Sequence, residues 1–287
     1  MSFWNYIPPE ILFQIGSFTV YTYSVLLGVA IVLGYFITLY LARQYEKVLD
    51  RPLMVHVDYL FFWLLVFGII ASRLFYVFYN IDFFITQPWE VLALWHGGWV
   101  WHGAFLAGIV VAFVYCRRHK LPFWLMVDMI SPGLVLGQAI GRWGNYFNQE
   151  AYGLPTHLAW GIPIEFARRA TGYEGFSQFH PTFLYESVFS LVLFIVLFIA
   201  TRVVLFRLAK NVKKEARFMH FGVIFLGYAV VYSLGRFLIE FLRIDLVPVF
   251  AGLRLPQWIC LAIILAGIIL IAGRLLHDRR ESDTLSL

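Results

Sequence analysis

VDYLFFWLLVFGIIASRLFYVFY, residues 57–79, contains two charges in twenty-three positions: Asp58 at one end and Arg73 about two turns from the other. A helix rising 1.5 Å per residue carries such a run across the roughly 30 Å hydrocarbon core of a bilayer. Comparable runs recur at 18–42, 99–116, 123–147, 184–206, 218–241 and 256–275. The 287 residues are 61% hydrophobic and only 14% charged, which leaves too little polar surface to cover a water-soluble globule. The expected fold is an all-α integral membrane protein of about seven transmembrane helices.

The basic residues orient these helices. Arg43, Lys47, Arg51, Arg117, Arg118, Lys120, Arg202, Arg207, Lys210, Lys213, Lys214, Arg217, Arg274, Arg279 and Arg280 fall in one set of connections. The opposite set holds Arg168, Arg169, Arg243 and Arg254. The positive-inside bias places the N-terminus out and the C-terminus in, as an odd number of spans requires. The net charge of +5 is thereby a matter of topology and anionic-lipid contact, and calls for no nucleic-acid partner. Residues Met1 to Tyr21 hold no Lys or Arg, so the first run reads as a retained span behind an interfacial lead containing Pro8 and Pro9, and not as a cleaved signal.

The whole chain, 1–287, reads as a single transmembrane domain with two insertions. Residues 81–101 carry Trp89, Trp95, Trp99 and Trp101 around Gly97-Gly98, the composition of an interfacial or re-entrant arm. Residues 148–183 are broken by Gly153, Pro155, Gly161, Pro163, Gly172 and Gly175, and read as a small extracytoplasmic head. The two cysteines, Cys116 and Cys260, fall at opposite ends of the spans, so neither a disulfide nor a CxxC metal site is available.

Three arginines remain inside spans: Arg73, Arg142 and Arg236. Each costs on the order of 2.5–3.5 kcal/mol at a helix centre on insertion scales, so each requires a partner or a polar environment. In GRWGNYFNQE, residues 141–150, helical spacing places Arg142, Asn145 and Gln149 on one face and Gly137, Gly141, Gly144 and Asn148 on another. The polar face needs shelter from lipid, and the small face admits a neighbouring helix. Tyr232, Arg236 and Glu240 repeat the pattern at i, i+4 and i+8.

Topology brings Tyr23, Arg73, His102, Arg142, Asn145, His180, Tyr185, Glu186, Arg236 and Glu240 toward one leaflet. Glu186 and Glu240 read first as salt-bridge partners of the arginines. His56, His96, His119, His157, His220, His277, Asp58 and Asp128 read as interface or loop residues. A planar guanidinium suits bidentate binding of phosphate oxygens, and the phosphate at that depth is a phospholipid headgroup. The residues alone support a site for an anionic lipid phosphate, with a histidine and tyrosines nearby. They do not name a reaction, and an anionic-lipid transporter or flippase would want the same arginines, though its usual inverted repeat is not visible.

The stretch 141–150 resembles the signature of bacterial prolipoprotein diacylglyceryl transferases. SRLFYVFYN (72–80), HGGWVWHGA (96–104), HPTFLYE (180–186) and YSLGRFLIEFLR (232–243) resemble that family's other blocks in the same order, with departures at Ser24 and Ala104. The resemblance implies transfer of a diacylglyceryl group from phosphatidylglycerol to the lipobox cysteine of an exported preprolipoprotein, with release of glycerol phosphate and no cofactor or metal. It implies a multi-pass protein of the bacterial inner membrane with its active site toward the outer leaflet. His102, Arg142 and Arg236 are the catalytic candidates: the arginines for the phosphate, the histidine to help deprotonate the thiol. Tyr23, Arg73, Asn145, Glu150, Tyr232 and Glu240 are candidates to orient the lipid or hold the arginines.

Overall fold

The computed structural model describes residues 6–16, 18–210 and 221–284, so Lys213, Lys214, Arg217 and His220 lie outside the described residues. The chain is mostly helical. It opens with a hairpin of β1 (Ile11–Ile15) and β2 (Phe18–Tyr21), which pairs Gln14 with Thr19. Residues 18–21 are therefore strand, and the first long helix, α1 (Thr22–Leu49), starts four residues later than apolarity alone suggested. Hydropathy cannot separate a short apolar strand from the first turn of a helix.

Among the described residues, six helices are long and apolar enough to cross a membrane: α1, α2 (Leu53–Tyr79), α5 (Phe123–Phe147), α6 (Thr182–Lys210), the stretch Val223–Leu242, whose α-helical part is α7 (Val223–Ile239), and the first twenty residues of α8 (Leu255–Thr284). Of the two remaining α-helices, α3 (Ile81–Thr86) is a short piece of the arm and α4 (Trp101–Arg118) covers the expected third run. Trp101-His102 and Arg117-Arg118 cut into the ends of α4, and its apolar centre is shorter than those of the six. Val188, Val192, Val196 and Ile199 of α6 are exposed at helical spacing, as are Phe67, Ile70, Leu74 and Phe78 of α2. Such continuous apolar stripes fit hydrocarbon and not water. The chain is a multi-pass membrane protein.

Two compact units are present, one formed by residues up to Thr38 together with those from Asp128 onward, the other by Leu39–Val127. In the first, α1 and α5 run antiparallel at close range. A Cβ added to Gly34 would lie 2.9 Å from the Gly133 carbonyl oxygen, one on Gly133 would strike Gly34, and one on Gly144 would overlap the Tyr23 ring. The small face of α5 thus admits α1, because any side chain at these positions would push the helices apart. Asp128 is buried and accepts the N–H groups of Gly222 at 2.6 Å and Phe225 at 2.8 Å, capping the otherwise unpaired start of α7. Its role is structural, as its place at a span end suggested.

In the second unit α2 and α4 pack side by side. A Cβ on Gly103 would run into the Ala71 carbonyl, so the helices touch backbone to backbone just after His102. The departure at Ala104 is accommodated, since Gly68 faces its methyl and even a Cβ built on Gly68 would meet it at 3.9 Å, an ordinary van der Waals contact. Ser24 of the first unit is exposed and equally unconstrained.

Candidate functional site

Helices α5, α6 and α7 bring the charges of the first unit together. Glu186, four residues into α6, is the centre: its Oε2 lies 2.6 Å from Arg142 Nη2, and its Oε1 lies 3.1 Å from Arg236 Nη1 and 3.2 Å from Arg243 Nη1. Arg236 also reaches Glu240 Oε2 at 2.6 Å, one turn further along, and Glu240 Oε1 lies 2.8 Å from Arg254 Nε. Asp245 accepts from Arg243 Nε at 2.6 Å. Four guanidiniums and three carboxylates form this ion-paired network. Buried ions held this way each have a counter-charge.

Arg142 is the most exposed of the four, its side chain 25% open against 17%, 10% and 18% for Arg236, Arg243 and Arg254. Its Nη2 donates to the Tyr232 hydroxyl at 3.3 Å besides meeting Glu186, while Nη1 makes only a 3.5 Å contact with Asn145 Oδ1. Asn145 turns its amide to Glu150 Oε1 at 2.9 Å, and Asn148 adds a second donor to the same oxygen at 3.3 Å. Tyr23, packed on Gly144, lies within electrostatic reach of both Arg142 and Glu150. Arg142, Asn145, Glu150, Tyr232, Tyr23, Arg236 and Glu240 therefore form one constellation, and the bidentate fork of Arg142 has capacity for another acceptor.

Two features depart from the sequence reading. Gln149 does not share the polar face of Arg142: α5 ends at Phe147, Gln149 takes φ +52°, and its Oε1 accepts the Glu165 N–H at 2.7 Å. The i+7 relation lapses because the helix has stopped. Arg243 and Arg254, expected on outer connections, are drawn into the network. Arg243 stands at i+7 from Arg236, a spacing that could have placed it on the same face; Arg254 returns from the connection after α7, where periodicity carries no information.

Residues 148–181 lie over this end of the helices. Ile162, Ile164 and Phe179 pack with Tyr146, Tyr152 and Phe183 in a buried cluster, and the short pair β3 (Ile162–Pro163) and β4 (Gln178–Phe179) ties the segment together. His180 Nδ1 lies 3.0 Å from the Tyr185 hydroxyl, which also accepts from Trp160 Nε1 at 2.9 Å. Burial lowers the His180 pKa below its ordinary value, which favours the neutral ring in that hydrogen bond.

Arg73 and His102 belong to the other unit. Arg73 is buried and gives its five donors to carbonyls of the arm: Val91 at 3.2 Å, Glu90 at 2.5 Å, Ala93 and Gly98 at 3.3 Å, and Gly97. The Tyr76 and Phe84 rings flank it, with centroids at 5.5 and 5.4 Å. This accounts for a charge buried in an apolar helix and leaves no donor for a phosphate. His102, in the first turn of α4, is exposed, with its ring centroid 4.2 Å from that of Trp101.

Comparison with known proteins shows the family. Residues 10–273 match the family model described as prolipoprotein diacylglyceryl transferase. The phosphatidylglycerol–prolipoprotein diacylglyceryl transferase of Gloeobacter violaceus is 42% identical over 91% of this chain and 90% of its own length. Proteins of the same name from Acaryochloris marina and Trichormus variabilis are 40% and 35% identical, over 96% and 97% of this chain and 94% of their own length in each case. A transporter of anionic lipids is not favoured by these matches. The four arginines held by carboxylates are thus the charged centre of a chain that belongs to the prolipoprotein diacylglyceryl transferase family.

Proposed function

We propose that this chain transfers the diacylglyceryl group of phosphatidylglycerol to the lipobox cysteine of exported preprolipoproteins. The thiolate sulfur attacks the glyceryl carbon that carries the phosphodiester; a C–S bond forms, the C–O bond breaks, and glycerol phosphate leaves. The observation that carries the proposal is Arg142, the most exposed of the clustered arginines, tethered through Nη2 to Glu186 and Tyr232 while Nη1 makes only a 3.5 Å contact with Asn145 Oδ1. Arg142 and Arg236 would bind the phosphate and offset charge growing on the leaving group. His102 would assist loss of the thiol proton. Asn145 and Glu150 would fix the Arg142 fork, and Tyr23 and Tyr232 would line the lipid. Glu240 would hold Arg236, and Arg73 would position the arm without touching the phosphate.

In this reading α4 is a seventh crossing, its ends marked by Trp101-His102 and Arg117-Arg118. The N-terminus is out, the C-terminus is in, and the protein resides in the bacterial inner membrane with the arginines toward the outer leaflet. Residues 81–101 act as an interfacial arm, supported by Trp89 and Trp95 at 83% and 79% exposure, and 148–183 as an extracytoplasmic head within a single transmembrane domain. Purified protein incubated with phosphatidylglycerol and a lipobox peptide tests the chemistry: mass spectrometry should find the diacylglyceryl adduct, and unmodified peptide would overturn the proposal. Reporters within 208–216 and 165–175 test the topology, the first expected cytoplasmic and the second outside.

A further inference from the structure

At the far end of α4 from His102, the second unit contains a cavity of about 230 Å³ that the reaction does not use. It is lined by Phe113, Cys116, Arg117, Lys120, Leu121 and Phe123. The tight turn into α5 shapes it: Lys120 takes φ +53°, the Leu121 N–H returns to the Cys116 carbonyl at 2.8 Å, and the Phe113 and Phe123 rings meet edge to face at 6.0 Å. Its rim is cationic and its floor apolar. Arg117 and Lys120 are exposed and have no ion-pair partner among the described residues. Below the rim, Phe113, Val110 and Leu106 continue the Arg117 face at helical spacing, and all three are exposed.

We infer that this cavity seats an anionic phospholipid, its phosphate held by Arg117 and Lys120 and one acyl chain lying along Phe113, Val110 and Leu106. Two observations choose that occupant. The rim has positive charge without a counter-charge, and the floor runs without a break into the stripe that faces hydrocarbon. A soluble anion would match the first alone, and a neutral lipid the second alone. Basic clusters at the cytoplasmic end of a helix attract anionic headgroups in this manner. The site lies at the end of α4 opposite His102, so it holds a structural lipid and not the diacylglyceryl donor. It does not depend on the proposed transfer reaction.

Cross-linking the full chain in nanodiscs tests the inference. Phe113 is replaced by benzoylphenylalanine in discs of phosphatidylcholine with a minor fraction of phosphatidic acid, and mass spectrometry identifies the lipid adducts. Phosphatidic acid should exceed its share of the bilayer by about five-fold for each basic side chain that contributes. Arg117→Gln with Lys120→Gln should return the adducts to bilayer composition, whereas Arg117→Lys with Lys120→Arg should keep the enrichment and control for folding. Adducts that follow bilayer composition in the parent protein would overturn the site, as would enrichment that survives the double glutamine change. Inorganic phosphate added in excess should leave the enrichment intact; its loss would show a site for soluble anions. Transfer activity, read in the same discs, reports on the reaction independently of these outcomes.

Discussion

Glu186 Oε2 and Arg142 Nη2 lie 2.6 Å apart across α6 and α5, with the glutamate side chain 3% exposed and the arginine 25%. The buried partner fixes the more open one. Because Glu186 also holds Arg236 and Arg243 through its other oxygen, one carboxylate sets the spacing of three guanidiniums.

Removing that carboxylate's charge tests its hold on the network. Glu186→Gln keeps the shape but leaves the arginines to repel one another, and breaking a buried ion pair in this way costs about 3–5 kcal/mol. The thermal unfolding temperature in detergent should fall well below that of the parent. Phosphatidylglycerol should restore part of the loss by binding the folded form, and an unchanged unfolding temperature would remove Glu186 from the centre of the site.

Arg142→Lys separates charge from shape. Lysine presents a point charge without the planar fork, so the variant should fold and insert while transfer falls on the order of 100-fold. Steady-state assays on the purified variant decide it; near-normal transfer would assign Arg142 to the scaffold.

Arg73→Lys should behave differently. A lysine ammonium has three donors and cannot satisfy the five carbonyls that Arg73 gathers under the arm. Amide hydrogen exchange across residues 88–98 should accelerate, and transfer at saturating lipid should fall less than in Arg142→Lys. Exchange that stays at the parent rate would rule out the clamp.

The nucleophile should come from the substrate. Cys116 and Cys260 are both buried in the protein, so changing both to serine should preserve most transfer, while a peptide with serine at the lipobox position should stay unmodified. His102→Ala should show its largest deficit near pH 7 and recover as pH rises toward a free thiol's pKa of about 8.5, where the thiolate forms unaided. A deficit constant with pH would confine His102 to its contact with Trp101.

Much of this architecture could be read from residue spacing, because a bilayer forces each span to satisfy its backbone internally and to sort its side chains by face. The partnership of Arg236 with Glu240 and the close helix approach at Gly144 follow from such faces. Arg254 and Asp245 do not: they lie in a connection whose path is set by tertiary contacts. The same holds for Arg73, whose partners are carbonyl groups and carry no signature in residue type. Gln149 shows the opposite failure, a periodicity extended past the point where the helix ends.

The division of the chain into units bears on how the protein is made. The unit spanning Leu39–Val127 is continuous, whereas the other joins residues up to Thr38 to those from Asp128 onward. As the ribosome delivers the helices in order, the continuous unit is complete while Tyr23 and Gly34 of α1 still await Gly144 and Gly133. Helix α1 is thus held without its partner until α5 emerges. Arg236 of α7 and Arg243 just beyond it meet Glu186 later still, so the charged centre is assembled only after most of the helices have been delivered.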